Sequence, residues 1–330
     1  MNDSLDRKIN IAVLITSITQ RNITIETAHY YSEICNEVIL IDEEQPFLTK
    51  TDIEDLKNKG ITYIKYEGGN HASALNSAYE KRLIGASISN KSYVVHSNHD
   101  ERYTYQGLLA CVNELDSDKK LTFCIGQAIA IRKDKSELHF SRSYEKLSKY
   151  YNFNNVNQRL YYHAAVYVPL AHYSVWRREC YINVTKDTMS IHESLPSSTM
   201  MEEVIFELAA DLAGNSKAIP QLFWIRNRIN PPSHNSKEQG EHVFNIIKKK
   251  LHFLLDDIDG IEIDNIVENF WNHFTFVRPS LLSKTIISAK RFLRMFIKKK
   301  KITNVSNLLH DSNINFKEDD LSNLFKSMRL

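Results

Sequence analysis

Short apolar runs alternate with helix-periodic stretches over the first two thirds of the chain. Residues 9–15 (INIAVLI) are apolar at nearly every position, and their β-branched content at that length predicts a strand buried on both faces. A polar run, residues 16–22, follows. Then Ile25, Ala28, Tyr31 and Ile34 recur at helical spacing, with Thr24 as the expected cap. Residues 37–41 predict a second strand ending in Asp42-Glu43-Glu44. Residues 52–59 predict a helix closed by Gly60, and residues 61–66 a third strand. Gly68 and Gly69 open a loop into another helix, and Tyr93-Val94-Val95 predicts a central strand running into His96-Ser97-Asn98-His99-Asp100-Glu101. Strand alternating with helix is the pattern of a parallel, helix-covered sheet.

Beyond the centre, residues 105–115 predict a helix and residues 121–131 a strand interrupted by Gly126, the mark of a bulge or a close backbone approach. Residues 132–156 are polar and tyrosine-rich and are expected to be irregular, and residues 161–168 an aromatic loop or strand. Residues 171–178 lead from strand to helix. Residues 200–210 form a strong helix with Glu202 and Glu203 in its first turn, stopped by Gly214, and residues 219–225 a last strand. From residue 234 onward only helical patterns remain, at 241–255, 261–276 and 283–301. The expectation is an α/β domain over residues 1–233 and an all-helical appendage over residues 234–330.

Composition narrows the classes. The 330 residues are 42% hydrophobic, enough for a sizeable core, and 42 basic against 40 acidic residues leave a net charge of +2 that recommends no nucleic acid partner. Cys35, Cys111, Cys124 and Cys180 are scattered without a CxxC pair, which predicts reduced thiols. His71, His96, His163 and His172 have no ligand spacing that suits zinc. The N-terminal MNDSLDRKIN lacks the apolar core of a secretory leader, and no run has the ~18 apolar residues of a spanning helix, so a cytoplasmic location is expected. Ser-His-Asp order, GxGxxG and P-loop are all absent, which removes hydrolase, dehydrogenase and kinase readings.

Candidate chemistry gathers where apolar strands run into polar residues. Ligands of open α/β sheets bind in the crevice at the carboxyl ends of strands, which is where Asn98, His99, Asp100 and Glu101 would stand. A carboxylate there can hold a divalent cation against a diphosphate. Asn76, a poor helix former on an otherwise good helix, suggests a hydrogen-bonding role near the same crevice.

In their order, these residues resemble the inverting, nucleotide-sugar-dependent glycosyltransferases of the GT-A fold, family 2-like, of the bacterial surface-polysaccharide (capsule or O-antigen) type. The resemblance spans about residues 9–228. Thr16-Ser17-Ile18-Thr19-Gln20-Arg21 sits where that family has its Pro-Thr-x-Asn-Arg turn, with Ser17 the match. Asp42 falls on the family's base- or ribose-reading acid. Asn70, Ala74 and Asn76 are similar to its N-x-G-x-x-x-A-x-N helix start, without the glycine. Asn98-His99-Asp100 occupies the place of D-x-D, with Asn98 for the first aspartate. The segment His172-Tyr173-Ser174-Val175-Trp176-Arg177 looks like the group's H-Y-x-V-x-R, and Glu202-Glu203 lies where the family has its catalytic carboxylate.

The resemblance implies a Rossmann-like, mostly parallel sheet and transfer of a sugar to a hydroxyl of a surface glycan, free or lipid-linked. Charge developing on the leaving diphosphate would be met by Mn²⁺ or Mg²⁺ on Asp100, with His99 as a further ligand, and by Arg177, Arg226 or Arg228. Glu202 or Glu203 would take the acceptor's proton. An amide at position 98 binds such cations more weakly than a carboxylate does. The rival expectation is therefore a catalytically inactive GT-A-like binding or scaffold subunit of a polysaccharide assembly complex. Residues 283–301 add an apolar face (Ile286, Ala289, Leu293, Phe296, Ile297) beside Lys290, Arg291, Arg294 and Lys298 to Lys301, which predicts peripheral contact with an anionic membrane.

Overall fold

Alternate residues of the first strand are committed to opposite helical layers. In the computed structural model Ile11, Val13 and Ile15 of β1 (Ile9–Ser17) join one buried cluster and Ala12 and Leu14 another. This two-sided burial is what a near-continuous apolar run predicts. Residues 8–17, 20–68, 74–98, 101–134, 137–144, 147, 154–166, 168–192, 199–227, 264–266, 268–269 and 304–328 are described.

Among them β1 is followed by α1 (Arg21–Ile34), β2 (Cys35–Asp42), α2 (Lys50–Asn58), β3 (Ile61–Lys65), α3 (Ala74–Ile88), β4 (Tyr93–Ser97) and β5 (Arg102–Tyr103). Then come α4 (Tyr105–Ser117), β6 (Leu121–Asp134), β7 (Glu137–Ser143), α5 (Val156–Val166), β8 (Val175–Arg177), α6 (Arg178–His192), α7 (Thr199–Ala213) and β9 (Asn215–Asn227). Two further helices, α8 (Val305–Asp311) and α9 (Glu318–Ser327), close the described chain.

The strands form one sheet in the order β3-β2-β1-β4-β8-β6-β9-β5, with β7 paired to β6. Strands β3, β2, β1 and β4 run parallel; β8 is antiparallel to both β4 and β6; β6 and β9 are parallel. Consequently β1, β2, β4, β6 and β9 all end on one edge. One face carries α1 and α4. The other packs Tyr79 of α3, Trp176, Tyr181 of α6 and Phe206 of α7 into an aromatic layer, where truncating one large ring to alanine would cost about 3–5 kcal/mol.

Gly126 carries both features expected of it. The β6–β9 register shifts between Ile125 and Gln127, and a Cβ at Gly126 would lie 2.4 Å from the Gln221 carbonyl oxygen. Three local expectations are corrected. Helix α1 starts from Gln20 in the left-handed region (φ 60°), and Thr24 lies inside it with its hydroxyl donated back to the Gln20 carbonyl. Residues 137–143 form β7, because pairing along β6 outweighs a polar composition. Residues 156–166 are helical. Leu160, His163 and Ala164 turn inward at helical spacing while Tyr161 and Tyr162 stay outside, so aromatic content misled where periodicity would have served.

The four thiols are free, as composition suggested. Residues 304–328 are built into the domain. Leu308, Leu309, Ile314, Leu321 and Leu324 join the buried cluster of β1 and α1. Asp320 accepts from the backbone N–H groups of Tyr105 and Gln106, both at 3.1 Å, completing the start of α4. Among the described residues no helix is long and apolar enough to cross a membrane.

Candidate active site

Four strand ends meet at the carboxyl edge. Ser17 closes β1 in register with Asp42 of β2, and Asn98 follows β4. Arg226 lies near the end of β9, where β5 brings Arg102 opposite Ile225 and so sets Glu101 beside it.

The β1–β2 corner is polar and saturated. Buried Asp42 accepts from Arg21 Nε at 3.2 Å, from the Tyr63 hydroxyl at 2.9 Å and from the Glu44 backbone N–H at 3.1 Å. Burial and the Asp42 carboxylate push the Tyr63 phenol up to about 12. Beside it, the fully buried Lys81 forms an ion pair with Glu43, which also accepts from Ser77 at 2.9 Å. Ser17 is itself buried, and its backbone carbonyl rather than its hydroxyl faces Lys81, at 3.5 Å.

The β4–β9 corner is an ionic pair boxed by rings. Glu101 accepts from Trp224 Nε1 at 3.1 Å and from Arg226 Nε at 3.2 Å, with Asn98 Nδ2 at 3.5 Å. Tyr173 stacks on Trp224 at 3.9 Å between ring centres, and the Arg226 guanidinium lies 5.1 Å from Trp224, 5.5 Å from Tyr144 and 5.6 Å from Tyr173. Burial works against the charge on Arg226, but Tyr173, Tyr144 and Glu101 outweigh it and hold the group more firmly cationic than usual. Glu203, half-buried on α7, faces the same group: after burial itself, Glu101 and then Glu203 are what raise the Tyr173 phenol.

A buried network fixes Tyr173. Glu207 of α7 accepts from the backbone N–H groups of Ala171 and His172, both at 2.9 Å, pinning the 3-10 turn Ala171–Tyr173. His163 bridges Asp211 (2.7 Å) and the Val168 carbonyl (2.8 Å), with Glu207 at 3.5 Å.

Of the residues expected at the site, Asp42, Asn98, Arg226 and Glu203 are brought to this edge, with Ser17 buried beneath it. Arg177 is not. It pairs with Tyr93 at the opposite end of β4, and its guanidinium donates to the carbonyls of Leu121, Asp118 and Leu115. Asn70, His99, Asp100 and Arg228 lie outside the described residues, as do the side chains of Asn76 and Glu202. Sequence reasoning misses Trp224 and Lys81; Glu101, Glu43 and Tyr173 are marked only by their places after Asp100, in the acidic end of the second strand and in the His172–Arg177 segment. Among the described residues no three His, Cys, Asp or Glu side chains are grouped to hold a metal ion. Glu101, the carboxylate next to Asn98, is already engaged by Trp224 and Arg226.

No family model and no curated protein matches the chain. Solved structures do. Residues 1–349 of S. aureus TarS superpose with a TM-score of 0.57 at 14% identity, over 82% of this chain and 73% of that one. The same protein in complex with UDP gives 0.56 at 14%, and in complex with UDP-GlcNAc 0.56 at 15%, over 82% of this chain and 73% and 74% of those. The chain has the GT-A fold. At these identities the likeness speaks for architecture, and within that GT-A architecture the edge bearing Asp42, Asn98, Glu101 and Arg226 is the crevice where open α/β sheets bind ligands.

Proposed function

We propose that the chain is a glycosyltransferase that moves a sugar from a nucleotide-sugar donor to a hydroxyl of a surface-glycan acceptor, free or lipid-linked, with inversion. The observation that carries the reading is the Glu101–Arg226 pair, which holds a cation beside Asn98 on the ligand-binding edge of a GT-A sheet. The solved relative with UDP-GlcNAc bound supports a nucleotide sugar as the donor class.

In this reading the β1–β2 corner, with Asp42, Ser17 and the helix start carrying Asn70 and Asn76, receives the nucleotide. Arg226, boxed by rings and kept charged, faces the diphosphate as negative charge develops there. Glu202 or Glu203, at the start of α7, takes the proton of the attacking hydroxyl. A divalent cation, Mn²⁺ or Mg²⁺, belongs to the proposal through Asp100 with His99 alongside. The described side chains do not by themselves form its site, so no step is derived through it.

The experiment is a thermal-shift screen of the full chain against UDP, GDP, CMP and dTDP compounds, with and without Mn²⁺, followed by product analysis with the donor that binds. A stabilising nucleotide sugar and an acceptor-dependent product of inverted anomeric configuration are expected. The Asn98 amide favours a second reading, an inactive binding or scaffold subunit of a polysaccharide assembly complex. Tight donor binding with neither transfer nor donor hydrolysis would favour that reading. No response to any nucleotide would sink both.

A further inference from the structure

Two cations near the ligand edge have acidic partners. Lys81 meets Glu43, and Arg226 meets Glu101. Arg82, next along α3, is 5% exposed, yet among the described residues it makes no hydrogen bond and no ion pair, and its Nε is sealed from solvent without an acceptor. Its guanidinium lies over the ring of Tyr79, 5.0 Å from the centre. A buried charge without a counter-charge is costly to keep unless something else supplies its acceptors.

Two more unsatisfied groups lie beside it. His96, one residue before the end of β4, meets the Thr16 hydroxyl through Nε2 at 3.3 Å and leaves Nδ1 without a partner. His172, whose ring centre is 5.7 Å from that of His96, also leaves Nδ1 unpartnered. Burial holds both imidazoles neutral, and the nearby Arg82 charge adds to the effect. In the tautomer in which Thr16 donates to Nε2, the His96 hydrogen is on Nδ1, where an anion can accept it. The unpartnered nitrogens of Arg82, His96 and His172 thus lie in one buried region just inside the ends of β1 and β4. This region also abuts α7, since Phe206 stacks with Tyr79 at 5.6 Å and meets His172 edge-on at 5.9 Å, one turn on from Glu203.

We infer that Arg82, His96 and His172 form an oxyanion-binding subsite, in which a phosphate or carboxylate group of the ligand supplies the acceptors that the protein lacks. The planar guanidinium fork suits either group. Two sources fit the position between the central strand end and α7: the diphosphate of a nucleotide donor, or a carboxylate on the transferred sugar. The second source rests on the glycosyl-transfer reading; the subsite itself does not.

The test compares the full-length wild type with Arg82→Met and Arg82→Lys, melted in pyrophosphate, in glucuronate and in sodium chloride of equal ionic strength. In chloride, Arg82→Met should melt at or above the wild-type temperature, because it removes an uncompensated charge; a merely structural arginine would lower it. Pyrophosphate or glucuronate should raise the wild-type melting temperature by several degrees over chloride. Arg82→Met should weaken that anion binding by at least ~10-fold, and Arg82→Lys should do so partially. A response to pyrophosphate identifies the diphosphate as the source, and a response to glucuronate alone identifies an acidic sugar. A wild type indifferent to both anions, or a shift that survives intact in either variant, overturns the subsite. No nucleotide or acceptor enters the experiment, so its failure and the failure of glycosyl transfer are separate results.

Discussion

Arg226 Nε lies 3.2 Å from Glu101 Oε1 across 125 residues of sequence, and the same carboxylate accepts the indole N–H of Trp224. The pair sets the direction of the guanidinium rather than merely neutralising it. Glu101→Gln keeps an acceptor for Trp224 but removes the charge that orients Arg226, so donor affinity should fall roughly 10-fold, as it should for Arg226→Met. Calorimetric titration with the nucleotide sugar measures both. Unchanged affinity in both variants would confine the pair to holding β5 against β9.

Asp100 follows the Asn98 and His99 positions at the end of β4, where a cation would be held against the diphosphate. Asp100→Ala should lower transfer at least ~10²-fold while leaving the melting curve intact, by analogy with loss of a preorganised charge-stabilising group. Steady-state rates over a Mn²⁺ titration check it. Near-normal turnover would remove Asp100 from the mechanism.

Glu202 and Glu203 are adjacent positions on α7, about 100° apart around a helix axis, so only one of them is expected to serve as the base. Glu203 is half-buried, and its charge, with that of Glu101, reaches Tyr173. Glu202→Gln and Glu203→Gln should therefore differ sharply in turnover with donor binding retained. Equal, mild losses would mean that neither takes the proton.

The network that pins Tyr173 predicts alkaline sensitivity. Burial opposes charge on His163, but Asp211 outweighs it and lifts the imidazole from 6.5 to about 9, while burial lifts Glu207 from 4.5 to about 8. Both groups bind more protons folded than unfolded. Their contribution to stability is therefore present at low pH and is lost as pH rises, from 4.5 through 8 for Glu207 and from 6.5 through 9 for His163. The melting temperature should decline between pH 6.5 and pH 9, and His163→Gln should flatten that decline despite a lower starting point. A variant curve parallel to the wild type would exclude His163 as its cause.

Residues 283–301 lie outside the described residues, and their basic, one-sided pattern is tested directly on vesicles. Each basic residue near anionic lipid contributes ~1 kcal/mol, so Lys298 to Lys301 alone predict salt-sensitive attachment. Co-sedimentation of the full chain with anionic liposomes should weaken when the four lysines become glutamine, and again in high salt. Binding indifferent to both, or none at all, returns the segment to a packing role.

The parallel half of the sheet was legible in sequence because a strand buried on both faces must be a short, unbroken apolar run. Ile9–Ser17, Cys35–Asp42 and Tyr93–Ser97 are such runs, and their polar ends marked the ligand edge. What the tertiary structure decided are the matters that depend on strand order. Arg226 and Arg177 are both arginines at strand ends, yet the antiparallel placement of β8 sends Arg177 to the opposite edge, while β9 carries Arg226 to Asn98. The partner of a charge is likewise invisible locally. Lys81 and Arg82 are neighbours on one helix, but their side chains diverge by a helical step, so one finds Glu43 and the other finds no acid among the described residues. Periodicity specifies which face of an element is buried. Which residues meet there, and which charge is left waiting for a ligand, follows only when distant segments are brought to one edge.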